Sequence, residues 1–200
     1  MRTLIITTKN KGKFPEIVEK LKGLPFEFKN LLDVGYSSDF EIEEPGSTFE
    51  GNAVIKAMTI GKQTGELTLA DDSGLIVDAL DGRPGVFSAR YAPGTDGDRY
   101  KKLLLELDDV PDEKRSARFK AVIAVYDPKT DKVLLSEGVC EGRILREPKG
   151  QGGFGYDPVF ESKDLGKTNA EASLEEKNEI SHRGKALEKM KDLLVKANLN

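Results

Sequence analysis

Two adjacent carboxylates, Asp71 and Asp72, stand between the apolar runs Leu67-Thr68-Leu69-Ala70 and Leu75-Ile76-Val77, followed at once by Ser73-Gly74. Such flanking runs read as buried strand, so the pair is expected at one point on the edge of a buried sheet. Carboxylates taken out of water need positive compensation. For an oxygen-only cluster the natural compensator is a hard divalent cation such as magnesium. Asp, Ser and Gly are also turn formers, and taken alone the four residues read as a β-hairpin turn.

Three further clusters carry chemistry of their own. Thr7-Thr8-Lys9-Asn10-Lys11-Gly12-Lys13 lies where a strand should pass into a helix. Helix-terminal amides, two hydroxyls, an Asn and three lysines make a polyphosphate cradle, although the loop lacks the glycines of a Walker A motif. The bland alternative is a solvated loop that caps a helix. Glu41, Glu43 and Glu44 precede a helix carrying Asn52 and Lys56 on one face. They can satisfy its dipole or supply a metal carboxylate. Finally, Gly152-Gly153-Phe154-Gly155-Tyr156-Asp157-Pro158 holds two aromatics in a glycine-rich loop. Such rings stack a flat base or plug a core. Lys177 and Ser181-His182-Arg183-Gly184 add donors at the start of the last helix, where they serve an acceptor or a cap.

The elements that must position these groups follow from hydrophobic period and breakers. Residues 3–7 read as a buried strand. A helix with Pro15 in its first turn follows, and Gly23 and Pro25 end it. Residues 26–32 read as a strand and 33–46 as an acidic loop. The next helix is expected from Ser47 or Thr48, with a Ser47–Glu50 capping box, to Gly65. Residues 98–107 read as a helix. Alternation from Ala117 to Val125, the turn at Asp127-Pro128-Lys129-Thr130 and the run 133–139 form a hairpin. Helices are expected over 173–180, with a Ser173–Glu176 box, and over 181–199. The order implies an α/β fold with a mixed sheet and an antiparallel hairpin extension, in one domain spanning 1–200.

Composition narrows the chemistry. A net charge of −4, with 31 basic and 35 acidic residues, gives no basic excess for a nucleic-acid polymer. No apolar run approaches a membrane span, and no cleavage site for a signal peptide follows Met1-Arg2-Thr3. The default compartment is the cytoplasm. One cysteine, Cys140, excludes an internal disulfide and a multi-cysteine zinc site. One histidine, His182, excludes a His-rich metal centre.

At these motifs the chain resembles the inosine triphosphate pyrophosphatase (Ham1-like) family. The resemblance is carried by Thr8-x-Asn10-x-x-Lys13, Phe49-Glu50-x-Asn52-Ala53-x-x-Lys56-Ala57, Ala70-Asp71-Asp72-Ser73-Gly74-Leu75, Pro84-Gly85-x-x-Ser88-Ala89-Arg90-Tyr91, Gly153-Phe154-Gly155-Tyr156-Asp157-Pro158 and Ser181-His182-Arg183-Gly184, in family order. It implies an elongated two-lobed α/β fold with the nucleotide in the cleft, and a homodimer. It implies magnesium-dependent hydrolysis of ITP, dITP and XTP to the monophosphate and pyrophosphate, which cleanses the nucleotide pool. By the same resemblance Thr8, Lys9, Asn10, Lys11, Gly12, Lys13 and Lys56 hold phosphates. Glu44 and Asp72 bind Mg2+, Asp72 accepts the proton, and Ser73 contacts substrate. Phe154, Gly155, Tyr156, Asp157, Lys177, His182 and Arg183 form the base site.

The chemistry of the residues agrees with that expectation. Triphosphate cleavage needs charge neutralisation, an activated water and in-line geometry. Asp71 or Asp72 can take the proton, and lysines stabilise the departing pyrophosphate. Hypoxanthine and xanthine present an O6 acceptor where adenine presents an N6 donor, so donors at Arg183 and His182 favour the former. Two alternatives stay open: a pyrophosphatase for other modified triphosphates, and a non-catalytic nucleotide-binding module.

Overall fold

The computed structural model describes residues 1–8 and 12–198. Lys9, Asn10 and Lys11 of the proposed cradle lie outside the described residues. Strand β1 (Arg2–Ile6) leads to helix α1 (Lys13–Lys20) and strand β2 (Phe26–Asn30). Helix α2 (Phe49–Thr64) and strand β3 (Leu67–Val77) follow. Helix α3 (Asp96–Glu106) precedes strands β4 (Ser116–Asp127) and β5 (Lys132–Ile144). The short strand β6 (Phe160–Ser162), helix α4 (Leu174–Ile180) and helix α5 (His182–Ala197) complete the order.

The strands make one six-stranded mixed sheet, ordered β2-β1-β3-β4-β5-β6, and helices cover it. β1 runs parallel to β2 and to β3, with Leu4 opposite Leu67 and Ile6 opposite both Leu69 and Asn30. β5 and β6 are antiparallel. The mixed α/β class expected from the sequence is the class observed. Asp71 and Asp72, however, are not in a turn and not at a sheet edge. They lie inside the continuous strand β3, between β1 and β4 in the order. Sheet neighbours on both sides of β3 and the apolar runs that flank the pair outweigh the turn preference of Asp, Ser and Gly.

By contact the chain forms two compact units. The first holds Met1–Asp72, Ala121–Gly138 and Arg183–Asn200, and the second Ser73–Lys120 and Val139–His182. In the first, Leu4 and Ile6 face Ile17, Leu21, Met190 and Leu194 of α1 and α5. Ile5 faces the other way, towards Ile60 of α2. β1 is thus covered on both faces, which is why it reads as an unbroken apolar run. Gly61 lets α2 approach the sheet: a Cβ there would lie 2.5 Å from the ring of Tyr126.

The second unit packs Leu75, Val77, Leu103, Leu107, Phe119 and Phe160 into its own core. Arg115 is buried in this unit, at 2% exposure. Its guanidinium donates to the carbonyls of Leu107 (2.5 Å), Ile144 (2.9 Å), Leu145 (3.0 Å) and Val110 (3.5 Å). Among the described residues no helix is long and apolar enough to cross a membrane.

Local signals set most helix ends. Thr48, rather than Ser47, caps α2 by accepting from the Gly51 N–H, because Thr48 is the residue that keeps extended backbone angles. α3 begins two residues before the expected start, at a Thr95–Asp98 capping box. The expected Ser173–Glu176 box is present at α4.

Candidate active site

Successive residues of a strand point to opposite faces. This alternation gives the two carboxylates different surroundings, both within the first unit. Asp71 Oδ2 accepts from Lys13 Nζ at 2.6 Å and from Arg183 Nε at 3.4 Å. Arg183 Nη1 is held in turn by Glu16 Oε2 at 3.1 Å. Asp72 faces α2, where Lys56 Nζ reaches its Oδ1 at 3.1 Å and Asn52 Nδ2 its Oδ2 at 3.2 Å. The same ammonium donates to the Asp71 carbonyl at 2.8 Å and meets Glu44 Oε1 at 2.8 Å. Asn52 and Lys56 share one face because they stand one helical turn apart. Of the three glutamates before α2, Glu44 is half-buried, whereas Glu41 and Glu43 are exposed.

These surroundings pull the two carboxyls apart. Burial alone would lift Asp71, but the charges of Arg183, Lys13 and Lys56 hold it well below the ordinary carboxylate range. At Asp72 burial wins: with Glu44 adding to it, it lifts the carboxyl above its ordinary value despite Lys56 and Asn52. Burial would lower Lys56, and Asp72 and Glu44 more than reverse this. Adjacent carboxyls driven in opposite directions are the pattern by which acid and base roles can be divided.

Two buried oxygens of this group, Asp71 Oδ1 and Asn52 Oδ1, have no hydrogen-bond partner. Of the two, Asn52 Oδ1 belongs to the side chain that bonds Asp72, and an unsatisfied buried acceptor there fits a cation. The donor set is all oxygen, as magnesium requires. No group of three His, Cys, Asp or Glu side chains poised for a metal occurs among the described residues. Magnesium commonly takes one or two carboxylates together with water and substrate phosphate, so the pair Glu44 and Asp72 fits it. Gly12 is the N-cap of α1 and, as a glycine, brings no side-chain cap. Thr8 stands at the end of β1, immediately before the undescribed residues.

The second unit holds the aromatic loop. Phe154 is 53% exposed, and Lys177 Nζ lies 4.6 Å from its ring centroid. Asp157 Oδ2 accepts from the Phe154 N–H at 2.8 Å and from Lys177 Nζ at 2.5 Å. Gly153 has φ +73°, and a Cβ there would run into the Asp157 carboxylate. The two aromatics divide between the two readings. Phe154 presents its ring, whereas Tyr156 is buried and donates its hydroxyl to the Ser88 carbonyl at 2.9 Å. Burial pushes the Tyr156 phenol up, so it stays a neutral donor. His182 stacks on Phe119. Ser73 opens the portion of β3 assigned to this unit.

The chain passes between units four times, two of them at Asp72–Ser73 and His182–Arg183. Residue pairs expected to act together are therefore divided by packing. His182 falls in the second unit, against Phe119, whereas Arg183 is placed with Asp71 and Glu16, contacts the sequence did not suggest.

Sequence reasoning also missed three supports. Ser88 Oγ accepts from the Leu75 N–H at 2.9 Å and so fixes β3 just beyond the acidic pair. Asp96 Oδ2 accepts from the Gly155 N–H at 2.7 Å and ties the aromatic loop to α3. Glu16 holds Arg183. Ser88 stood in a recognised motif without a role. The other two join residues far apart in sequence and leave no local signal.

A profile of the Ham1 family matches residues 4–193. A dITP/XTP pyrophosphatase of Bacillus licheniformis is 52% identical over 199 residues, covering 98% of this chain and 100% of that protein. One of Geobacter sulfurreducens is 50% identical over 197 residues, covering 97% of each. Among solved structures, a HAM1 protein from Coxiella burnetii matches with TM-score 0.90 and 45% identity, covering 98% of this chain and 100% of that one. The Staphylococcus aureus Ham1 protein matches with TM-score 0.89 and 35% identity, again over 98% and 100%.

Proposed function

The chain belongs to the Ham1 family, and from that premise we propose that it hydrolyses deaminated purine nucleoside triphosphates, ITP, dITP and XTP, to the monophosphate and pyrophosphate. The observation that carries the mechanism is the separation of Asp71 from Asp72. Asp71 is locked between Lys13 and Arg183 and serves as a fixed anion that orders both cations. Asp72 shares Lys56 with Glu44 and is the proton acceptor. A water oxygen bonds to phosphorus, the bridging P–O bond to pyrophosphate breaks, and the water proton passes to an Asp72 carboxylate oxygen. Glu44 and Asp72 would hold Mg2+, which when bound supplies Lewis-acid neutralisation of the phosphate oxygens. Lys13, Lys56, Thr8, Gly12 and the residues between them orient the phosphate tail and stabilise the charge that develops on the leaving group.

For the base, Phe154 supplies an exposed ring to stack on, and Asp157 and Lys177 set its position. Tyr156 anchors the loop. His182 and Arg183 are assigned as donors to O6, the carboxylates of Asp71 and Glu16 fixing the Arg183 guanidinium. Ser73 is assigned to substrate. We also propose that residues 1–200 act as one functional domain, in a homodimer, in the cytoplasm. The support is the family resemblance and a buried single cysteine, which suits a reducing compartment.

A panel of nucleoside triphosphates assayed for pyrophosphate release, with and without magnesium, tests the reading. ITP, dITP and XTP are expected to exceed ATP and GTP, with turnover only when magnesium is present. Preference for a pyrimidine would favour a different modified triphosphate. Binding without pyrophosphate release would make the chain a nucleotide-binding module.

A further inference from the structure

We propose that Phe119 is a positioning residue for base discrimination: its ring holds the His182 imidazole flat, so that the chain's single histidine meets a purine edge-on. This rests on the reading that His182 belongs to the base site. The two rings are parallel to within 14°, with centroids 5.0 Å apart. Phe119 points inward from β4 between Ala117 and Ala121, two small residues that leave room for a ring on that face. Phe160, fully buried, meets Phe119 at 4.7 Å and 63°, an edge-to-face contact that fixes the tilt of the Phe119 ring. The orientation of the imidazole is thus set from the core outwards, through Phe160 and then Phe119.

The polar atoms of an imidazole all lie at its edge, in the plane of the ring. A parallel stack directs both nitrogens away from the phenyl face. An edge-on imidazole would instead aim an N–H at that face and lose it to a weak N–H···π contact. The O6 acceptor of hypoxanthine and xanthine also lies in the plane of its ring. Hydrogen bonds weaken steeply as the donor angle falls towards ~120°. Discrimination between O6 and N6 therefore depends on how well the imidazole plane is held. A leucine at 119 fills most of the same volume but offers no flat face, and the imidazole regains its rotation about χ2.

The single histidine makes the test clean. In the proton NMR spectrum of the whole protein, its Cε1–H signal is expected upfield of the exposed-histidine position, with a cross-peak to the Phe119 ring. Phe119→Leu should return the signal to that position. The ITP-to-ATP ratio of kcat/KM should fall by about 2- to 10-fold, the weight of one aromatic pair. The loss should lie in KM for ITP rather than in kcat. Phe119→Tyr keeps the ring and should keep both the shift and the ratio. Leu107→Ala, in the same core, should lower the melting temperature without moving the ratio. If His182→Ala leaves the ratio unchanged, the base-site reading itself fails. If His182→Ala collapses the ratio and Phe119→Leu does not, Phe119 is core packing and this proposal fails alone. Should Phe119→Leu not fold, an unshifted wild-type histidine, or a ratio lost in Phe119→Tyr, overturns the proposal.

Discussion

Replacing Lys56 with methionine removes one ammonium from a place where three acceptors converge. The Lys56 stem is buried, and methionine fills nearly the same path, so the change is one of charge rather than volume. The Asp71 carbonyl loses a buried hydrogen bond, at a cost of about 1–3 kcal/mol. Glu44 and Asp72 lose the cation between them. Breaking a fully buried pair costs about 3–5 kcal/mol. Here the side chains of Glu44 and Asp72 keep 27% and 13% of their exposure, so water screens the repulsion and about 1–2 kcal/mol is the better figure. The sum is about 2–5 kcal/mol. For a chain of this length that lowers the melting temperature by about 4–20 °C. Thermal and urea unfolding in metal-free buffer measure it. A second substitution separates charge from packing. Asp72→Asn added to Lys56→Met removes one of the two uncompensated carboxylates and should recover about 0.5–3 kcal/mol. A Lys56→Met protein that melts with the wild type, or a double variant less stable than Lys56→Met, would refute the reasoning.

Asp72→Asn in the wild-type background should keep the fold and lower pyrophosphate release from ITP by about 10²–10⁴-fold, because the proton acceptor is gone; circular dichroism and the release assay check the two halves. Lys13→Ala should weaken ITP binding far more than IMP binding in calorimetric titration, since Lys13 is assigned to the phosphate tail. Acid stability should depend on Asp71. Its folded carboxyl lies below its unfolded value, so its contribution is complete above the unfolded pKa of about 3.9 and is lost as pH falls towards the folded value. Urea unfolding from pH 7 to pH 3 should therefore show a shallower acid loss in Asp71→Asn, starting from a lower stability at pH 7.

Hydrophobic period made much of the fold legible. β1, α2, the long strand from residue 116 and the last helix all follow from apolar spacing, and the Ser173–Glu176 box follows from residue types alone. The acidic pair was legible as chemistry but not as geometry. Asp, Ser and Gly carry a local preference for turns, and only pairing with residues elsewhere in the chain holds them in a strand. The base loop was legible in its glycines and aromatics. That Tyr156 is an anchor and Phe154 a presented ring depends on Ser88, some seventy positions away. Arg183 read as a base donor from its place beside His182; that Asp71 and Glu16 hold its guanidinium was not legible there. Contacts of this kind, like that between Asp96 and the Gly155 N–H, join segments whose proximity is a result of folding and has no local signature.

Arg115 bears on how the chain avoids a wrong alignment. Its described acceptors are all carbonyls, and they come from the end of α3, the following turn and the end of β5. Ile144 is bound twice, its N–H by the Arg115 carbonyl and its carbonyl by the Arg115 side chain. A slip of one position between β4 and β5 would keep most of a ladder while reversing every side chain on β5. With Arg115 in place, that slip would also strand a dehydrated guanidinium, a penalty of several kcal/mol per ion. Register is thus proofread by a charge that is tolerable only when the correct carbonyls have arrived.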